Sequence, residues 1–507
     1  PHVVGDMHRD LDNRVIRLRS WPIAPLYYGY LNNPLADDGA ADLDAGHGTH
    51  VAGSAVGNGY HSEGRYRGVA HRARLAFQAL EQYCDLNTAG EEVFGGPDGY
   101  YLVGLPADLG QLYGEAYGWD ARIHTNSWAG GMPGVYDVWA QQTDRFIWEH
   151  RDMVIVFAVG NAAADADGDG RVDAGSVLPP ATAKNIIAVG GTENRRPSLN
   201  PDPGWQTYGQ FNPGAFPADP LRSDPMGDAG ADGLMAFSGR GPTLDGRLAP
   251  HVVAPGTWII SLRSSVARRS VWGNLDAYYM YNGGTSMSAP LVAGAAALVR
   301  QAYLAQGHAP SASLVKATLI HTAQDIPGQY PAPYGEAGPI PNNDEGWGAV
   351  DVRAATAATK CFVDQTTALQ TGQQAVYTYR TGAGAQPAKF TLVWTDYPAA
   401  LEAAKQLVND LDLTITTPDG QVYRGNVFSG GWSAPGGTPD RINNVEAVYL
   451  PKTLAGTYTV TVSAHNIPFG PQDFALVVSL APPPQTQRAV LPLVLRYRRE
   501  LPAPAPT

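Results

Sequence analysis

Over residues 1–355 short apolar runs alternate with stretches of helical periodicity. Met153-Val154-Ile155-Val156-Phe157-Ala158 is apolar throughout, the pattern of a strand covered on both faces. Leu75–Leu80, Ile123–Trp128 and Ile186–Val189 read as further strands. The run Leu291–Leu298 is small and apolar without a break, which predicts a buried helix over 286–304; another is predicted over 312–322. Strands and helices in alternation predict a doubly wound, mainly parallel α/β sheet. After about residue 356 the period changes to two. Ala375–Tyr379, Phe390–Trp394, Leu411–Ile415 and Thr457–Val462 read as antiparallel strands, with turns such as Pro418-Asp419-Gly420 between them. They predict an all-β sandwich or jelly roll over 356–480. The segment 21–42 reads as a surface insertion. Residues 195–235, rich in Pro, Gly and Asp, form an interruption too long for an ordinary structureless loop. The last stretch, 481–507, begins and ends Pro-rich, and its apolar run Ala489–Leu495 is too short to span a bilayer. An edge strand, an anchoring signal and a disordered tail are all open for it.

Composition narrows the class. A chain of 507 residues, 44% hydrophobic, is long enough for two domains with cores of their own. A net charge of −12 argues against nucleic acid, whose phosphates need basic stripes. The two cysteines, Cys84 and Cys361, lie in no metal or redox spacing; a single disulfide and two separate thiols are both open.

Candidate chemistry centres on Gly284-Thr285-Ser286-Met287-Ser288-Ala289-Pro290. Tiny residues surround Ser286, and Pro290 is expected in the first turn of the helix, where its missing N–H costs nothing. Ser286 then sits at a helix N-terminus, where free N–H groups favour developing negative charge. A serine hydroxyl needs a base to be a nucleophile, and His47 in Gly46-His47-Gly48-Thr49-His50-Val51-Ala52-Gly53 supplies an imidazole. Asn161 ends the apolar strand and can aim its amide at an oxyanion. Met287, beside the nucleophile, is an oxidation liability.

These segments, with Asn126-Ser127-Trp128, Phe237–Pro242 and Val253–Gly256, occur in the order found in the subtilisin-like serine proteases, which the chain resembles over roughly residues 8–355. A closer resemblance, to the branch with a C-terminal β-barrel, reaches about residue 480 through Gly346-Trp347-Gly348, Val408–Leu413 and Asn443–Glu446. The resemblance implies endopeptidase activity: His47 as general base, Ser286 as nucleophile, Asn161 as oxyanion donor. It places Ser127, Trp128, Ala129 and Gly130 beside an extended substrate, with Ala158 and Gly160 lining the primary pocket. Protein substrates, a monomeric state and secretion are implied as well.

The family's aspartate, within Asp-Ser/Thr-Gly, has no match in the chain. Met7-His8-Arg9-Asp10-Leu11 resembles the segment that follows it, so the chain is expected to start just after its own acid. Asp6 is a stand-in lacking the Ser/Thr-Gly. A polypeptide-binding pseudo-protease is therefore the second reading. A carbohydrate-binding role for 356–480 is compatible with either.

Asp165-Ala166-Asp167-Gly168-Asp169-Gly170-Arg171-Val172-Asp173 has the alternating carboxylates of a calcium loop. Structural Ca²⁺ held by Asp165, Asp167, Asp169 and Asp173 is the cofactor expectation; no organic cofactor is expected. The resemblance implies a second calcium site among Asp396, Asp410, Asp412, Asn426 and Glu446. Zinc at His47 and His50 is not supported, since no His-Glu-x-x-His occurs. His50 reads as a packed, hydrogen-bonded residue. Asp245, Arg247 and His251 read as surface or loop residues, with ion pairs open to Arg240 and Arg247.

Overall fold

Residues 8–196, 207–227, 232–330 and 334–481 are described by the computed structural model. Asp6, the tail from 482 and parts of the 195–235 interruption lie outside them. The chain divides into two units, residues 1–356 and 357–507.

In chain order the first unit runs β1 (Val15–Ser20), α1 (His47–Val56), β2 (Leu75–Ala79), β3 (Gln82–Cys84), α2 (Thr88–Phe94), β4 (Gly99–Tyr101), α3 (Leu109–Gly118), β5 (Ile123–Asn126) and α4 (Val138–Glu149). It continues with β6 (Val154–Ala158), β7 (Ile187–Thr192), α5 (Tyr208–Phe211), β8 (Val252–Pro255), β9 (Ile259–Leu262), β10 (Tyr279–Asn282), α6 (Thr285–Ala305), α7 (Ala312–Thr322) and α8 (Val352–Thr356). Strands β5-β6-β7-β8 form one parallel sheet in that order. β1 and β2 pair in parallel as a separate piece, and β3–β4 and β9–β10 are short antiparallel ribbons. β6 and β7 are buried at every position, as their unbroken apolar sequence requires.

Helix α6 is the central element. It packs against α1 and against all four strands of the parallel sheet. Small side chains permit that contact: a Cβ on Gly294 would stand 2.6 Å from the Val69 Cβ. The insertion at 21–42 is anchored more firmly than its polarity suggests, because Ile23 and Leu31 pack with Cys84, Leu86 and Val103. Likewise, the described part of 195–235 buries Tyr208, Phe216, Leu221 and Met226 against Trp258 and Trp272. Among the described residues no helix is long and apolar enough to cross a membrane.

Arg247 and His251, expected at the surface or in loops, are buried, and so is Arg240, for which an ion pair was open. Each is buried because it is paired. Arg247 Nε meets both Asp245 oxygens at 3.0 and 2.8 Å, and its Nη2 donates to the Thr182 carbonyl at 2.8 Å. Arg240 lies 3.5 Å from Asp344. His251 Nδ1 accepts the Ala188 N–H at 2.9 Å, and its Nε2 lies 3.1 Å from Lys316 Nζ. Lys316 also donates to the Lys184 carbonyl at 2.8 Å.

The second unit is built from β11 (Cys361–Leu369), β12 (Gln374–Thr381), β13 (Ala388–Val393), β14 (Asp410–Thr416), β15 (Val422–Ser429), β16 (Trp432–Pro435), β17 (Val445–Leu450), β18 (Gly456–Asn466) and β19 (Gln472–Ser479). Antiparallel sheets of order β11-β19-β13-β17 and β12-β18-β14-β15-β16 share one core, with Phe390, Leu413, Val460 and Leu476 at its centre. Along β18 the period-two pattern is literal: Tyr458, Val460, Val462 and Ala464 point inward. The polar residues considered for calcium here all have protein partners. The guanidinium of Arg441 donates to both Asp410 and Asp412. Asp396 accepts the N–H groups of Val408 and Asn409, Asn426 bonds Asp440, and Glu446 accepts the Leu413 N–H. Cys84 is buried in β3 of the first unit and Cys361 opens β11 of the second.

Burial pushes the Lys316 ammonium down to about 7, against an opposing pull from Asp144. The unfolded chain binds this proton up to its ordinary pKa, so the lysine's contribution to stability rises with pH from about 7 to about 10.4. Lys316→Met is expected to flatten that rise. Chemical denaturation at pH 7 and 9.5 checks it; an unchanged slope refutes it.

Candidate active site

Helix α1 begins at His47, just after Gly46 in the left-handed region (φ 71°). It lies tightly on β9: a Cβ on Gly53 would stand 2.4 Å from both Leu262 Cγ and Ser261 Oγ. One turn on, buried His50 places its Nε2 3.0 Å from the Ile259 carbonyl, an anchor for the helix. This close seating sets where the His47 ring enters the cleft.

Gly284 (φ 135°) turns the chain into α6, and Ser286 is the second residue of that helix. Pro290 is not in the first turn, as expected, but one turn further in. The reason is a rerouted hydrogen bond. Proline cannot donate to the carbonyl four residues back, so the Ser286 carbonyl is left open within α6. Ser127 Oγ donates to it at 2.7 Å, and Ser286 Oγ returns a bond to the Ser127 carbonyl at 3.2 Å. Ser286 is thereby held on the end of β5.

Asn161 follows β6 and is exposed to the cleft. Its Oδ1 accepts the Thr285 N–H at 2.9 Å and the Thr285 hydroxyl at 3.0 Å. With the oxygen so engaged, the amide N–H₂ is the end left for an incoming oxyanion. His47, Asn161 and Ser286 line one cavity of about 530 Å³, together with Ser127, Trp128, Ala129, Ala158 and Gly160. Trp128 forms one wall, edge-to-face with Trp139 at 6.0 Å and Phe157 at 5.1 Å. Gly130 is not part of the lining; its N–H is donated to the Pro179 carbonyl at 2.9 Å.

Among the described residues His47 makes no hydrogen bond to Ser286 or to a carboxylate. Its surroundings are still polarised. Burial lowers its pKa, and Asp42, which also lines the cavity, pulls the other way. Asp42 is fixed by accepting the Thr49 N–H at 2.7 Å. Sequence reasoning missed Asp42; its only signal is a position five residues before His47.

The cavity also extends away from the catalytic groups, along the whole of β2 and β5 and down to Leu112 and Ala116 of α3. Among the described residues β2 pairs with β1 alone and β5 with β6 alone, so one edge of each is unpaired. Both strands are only half-buried over most of their length, unlike β6 and β7. Gln78 of β2 reaches His124 of β5 at 3.1 Å. His124 Nδ1, Thr125 Oγ1 and Asn126 Oδ1 are buried without a hydrogen-bond partner. The two sheet pieces thus border one slot with unspent backbone and side-chain hydrogen bonding.

Beyond Asn161, ligand oxygens of Asp165, Asp167 and Asp169 lie within 4.8 Å of one another. Asp165 is buried and accepts the N–H groups of Asp169 at 2.9 Å and Gly170 at 3.1 Å. Asp173 stands outside this trio and accepts the Ala166 N–H at 2.8 Å.

Labelling of Ser286 by a fluorophosphonate is expected to need neutral His47. Since burial lowers its pKa, the acid limb of fluorophosphonate labelling at Ser286 is expected below the ordinary imidazole value of about 6.5. Asp42→Asn should move the limb lower still. A limb at or above that value contradicts the burial argument.

The sequence profile of the subtilase family matches residues 8–348. The chain is 28% identical over 549 aligned positions to the serine protease/ABC transporter B family protein tagD of Dictyostelium discoideum, covering 86% of this chain and 29% of that protein. To serine protease AprX of Bacillus subtilis (strain 168) it is 25% identical over 268 positions, 51% of this chain and 49% of AprX. A solved structure described as S41 psychrophilic protease aligns over 68% of this chain and 87% of its own at 20% identity, with a TM-score of 0.41. The chain spans under a third of the Dictyostelium relative and about half of the Bacillus one. With well over half its length matched, including His47, Asn161 and Ser286, this chain belongs to the subtilase family.

Proposed function

We propose that this chain is the proteolytic part of a serine endopeptidase. The observation that supports this most is the convergence of Ser286, His47 and the free amide end of Asn161 on one cavity. Ser286 Oγ attacks the scissile carbonyl carbon and passes its proton to His47. The oxyanion is held by Asn161 Nδ2 and by the Ser286 N–H in the first turn of α6. His47 then protonates the departing amine. Water, deprotonated by His47, releases the acyl group and restores the serine. Trp128 and Ala129 would lie along an extended peptide, and small Ala158 and Gly160 suit an apolar or mixed side chain in the pocket.

The acid of the triad is not among the groups bonded to His47. We read the slot between β2 and β5 as its seat: one more strand, ending in an aspartate beside His47, would pair both free edges. The second unit is read as a jelly-roll-like domain, supported by its two antiparallel sheets and shared core. The loop after Asn161 is read as a calcium site, supported by three convergent carboxylates; Asp173 would join it only by releasing Ala166.

Casein hydrolysis and fluorophosphonate labelling, with Ser286→Ala as control, test the reading. Asn161→Ala should lower kcat by about 10²–10³ with little change in KM. Supplying the strand, as an N-terminal extension of apolar residues ending in Asp, should raise kcat by up to about 10⁴. If both forms fold and neither labels, the chain is a pseudo-protease. For the loop, EGTA should lower Tm, with recovery on adding Ca²⁺ that Asp165→Asn abolishes. An unchanged Tm refutes the calcium site.

A further inference from the structure

A second group of potential ligands lies outside the catalytic cavity, where the segment before β1 meets the turn after α1. His8, Asp10 and His61 each offer one ligand atom, and the three atoms lie within 4.8 Å of one another. None of the three lines the catalytic cavity. Asp10 is fully buried, and His8 and His61 are half-buried.

Each ring is already oriented. His8 Nε2 lies 3.0 Å from the Tyr278 carbonyl. A carbonyl can only accept, so Nε2 carries the proton and the Nδ1 lone pair faces Asp10. Metal-ligating histidines are held in this way, by donating the other ring N–H to a carbonyl or carboxylate. The ring of His61 is stacked on Tyr278 at 3.6 Å with 6° between planes, and stands edge-on to His8 at 5.3 Å. Asp10 Oδ2 accepts the Tyr279 hydroxyl at 2.7 Å, and Oδ1 accepts the His61 backbone N–H at 3.2 Å. The carboxylate is therefore fixed from both sides, as hydrogen-bond donors behind a metal ligand fix it.

The separation within the group is also informative. His8 Nδ1 and Asp10 Oδ1 are 3.6 Å apart. That is beyond hydrogen-bond length, yet near the ~3.3 Å edge of a tetrahedron with bonds of about 2.0–2.1 Å. The contact an ion would displace is a long one, from the Asp10 N–H to His8 Nδ1 at 3.2 Å.

We propose that His8, Asp10 and His61 bind one divalent transition-metal ion, with Zn²⁺ the best match to two imidazoles and a carboxylate. Water completes the tetrahedron. His8 and Asp10 precede β1 and His61 follows α1, while Tyr278 and Tyr279 link them to β10. Bound metal would tie together the end of the helix that carries His47 and the strand that leads into Ser286. The site is independent of the proposed proteolysis and of the carboxylate loop.

The test uses the full 507-residue chain, stripped of metal, titrated with Zn²⁺ by calorimetry and with Co²⁺ by visible absorption. One equivalent of Zn²⁺ is expected to bind and raise Tm, and Co²⁺ should give intense tetrahedral d–d bands. His61→Ala and the milder His61→Gln should each weaken binding at least ~10-fold and abolish the bands. Asp165→Asn should leave both intact. Circular dichroism separates loss of binding from loss of fold; if His61→Ala unfolds, His61→Gln carries the test. Absence of a saturable site, or binding that survives both His61 substitutions, overturns the proposal.

Discussion

The hydroxyl of Ser127 on the carbonyl of Ser286 joins the end of β5 to the start of α6, and the catalytic arrangement depends on that join. Pro290 creates the need for it by removing one rung of the helix ladder. In an ordinary first turn the carbonyl of Ser286 would be spent inside the helix. Here it is an acceptor that only a neighbouring element can satisfy. The bond therefore fixes the helix terminus relative to the sheet, and with it the position of Ser286. Thr285 performs the matching task on the other side by engaging the Asn161 oxygen.

Beneath this polar join the unit spends its buried charges in pairs. Arg247 with Asp245, Arg240 with Asp344, and Lys316 on the Lys184 carbonyl within the pull of Asp144 sit where apolar side chains would be the cheaper filling. Burying such groups carries a desolvation cost that good geometry only offsets. What they add is direction: a guanidinium fork or an imidazole accepts one arrangement of its neighbours, whereas packed leucines accept several.

Local chemistry was the legible part of the sequence. Unbroken apolar runs marked β6 and α6, alternation marked the strands of the second unit, and tiny residues around Ser286 marked a helix terminus. The motifs around His47, Asn161 and Ser286 are short enough to recognise, and the structure brings the three residues to one cavity. What the sequence hid depends on groups far apart in the chain. Burial of Arg247 and His251 could not be inferred without Thr182, Ala188 and Lys316 across the fold. Pro290 was placed a turn too early because the partner of the freed carbonyl lies 159 residues away. Arg441 between Asp410 and Asp412 is the same kind of fact: the side chain that meets the acidic pair lies 29 residues beyond Asp412.

The Gln78–His124 contact has one more consequence. Exposed sheet edges usually invite other chains to add on, and proteins guard them with charge, bulges or cover. Among the described residues the two unpaired edges border a common cavity, and a side-chain bridge crosses between them. An intruding sheet cannot use either edge without also meeting the other, and any single strand that enters must first break the bridge. The opening is thus its own gatekeeper, closed to indiscriminate aggregation and open to one narrow guest.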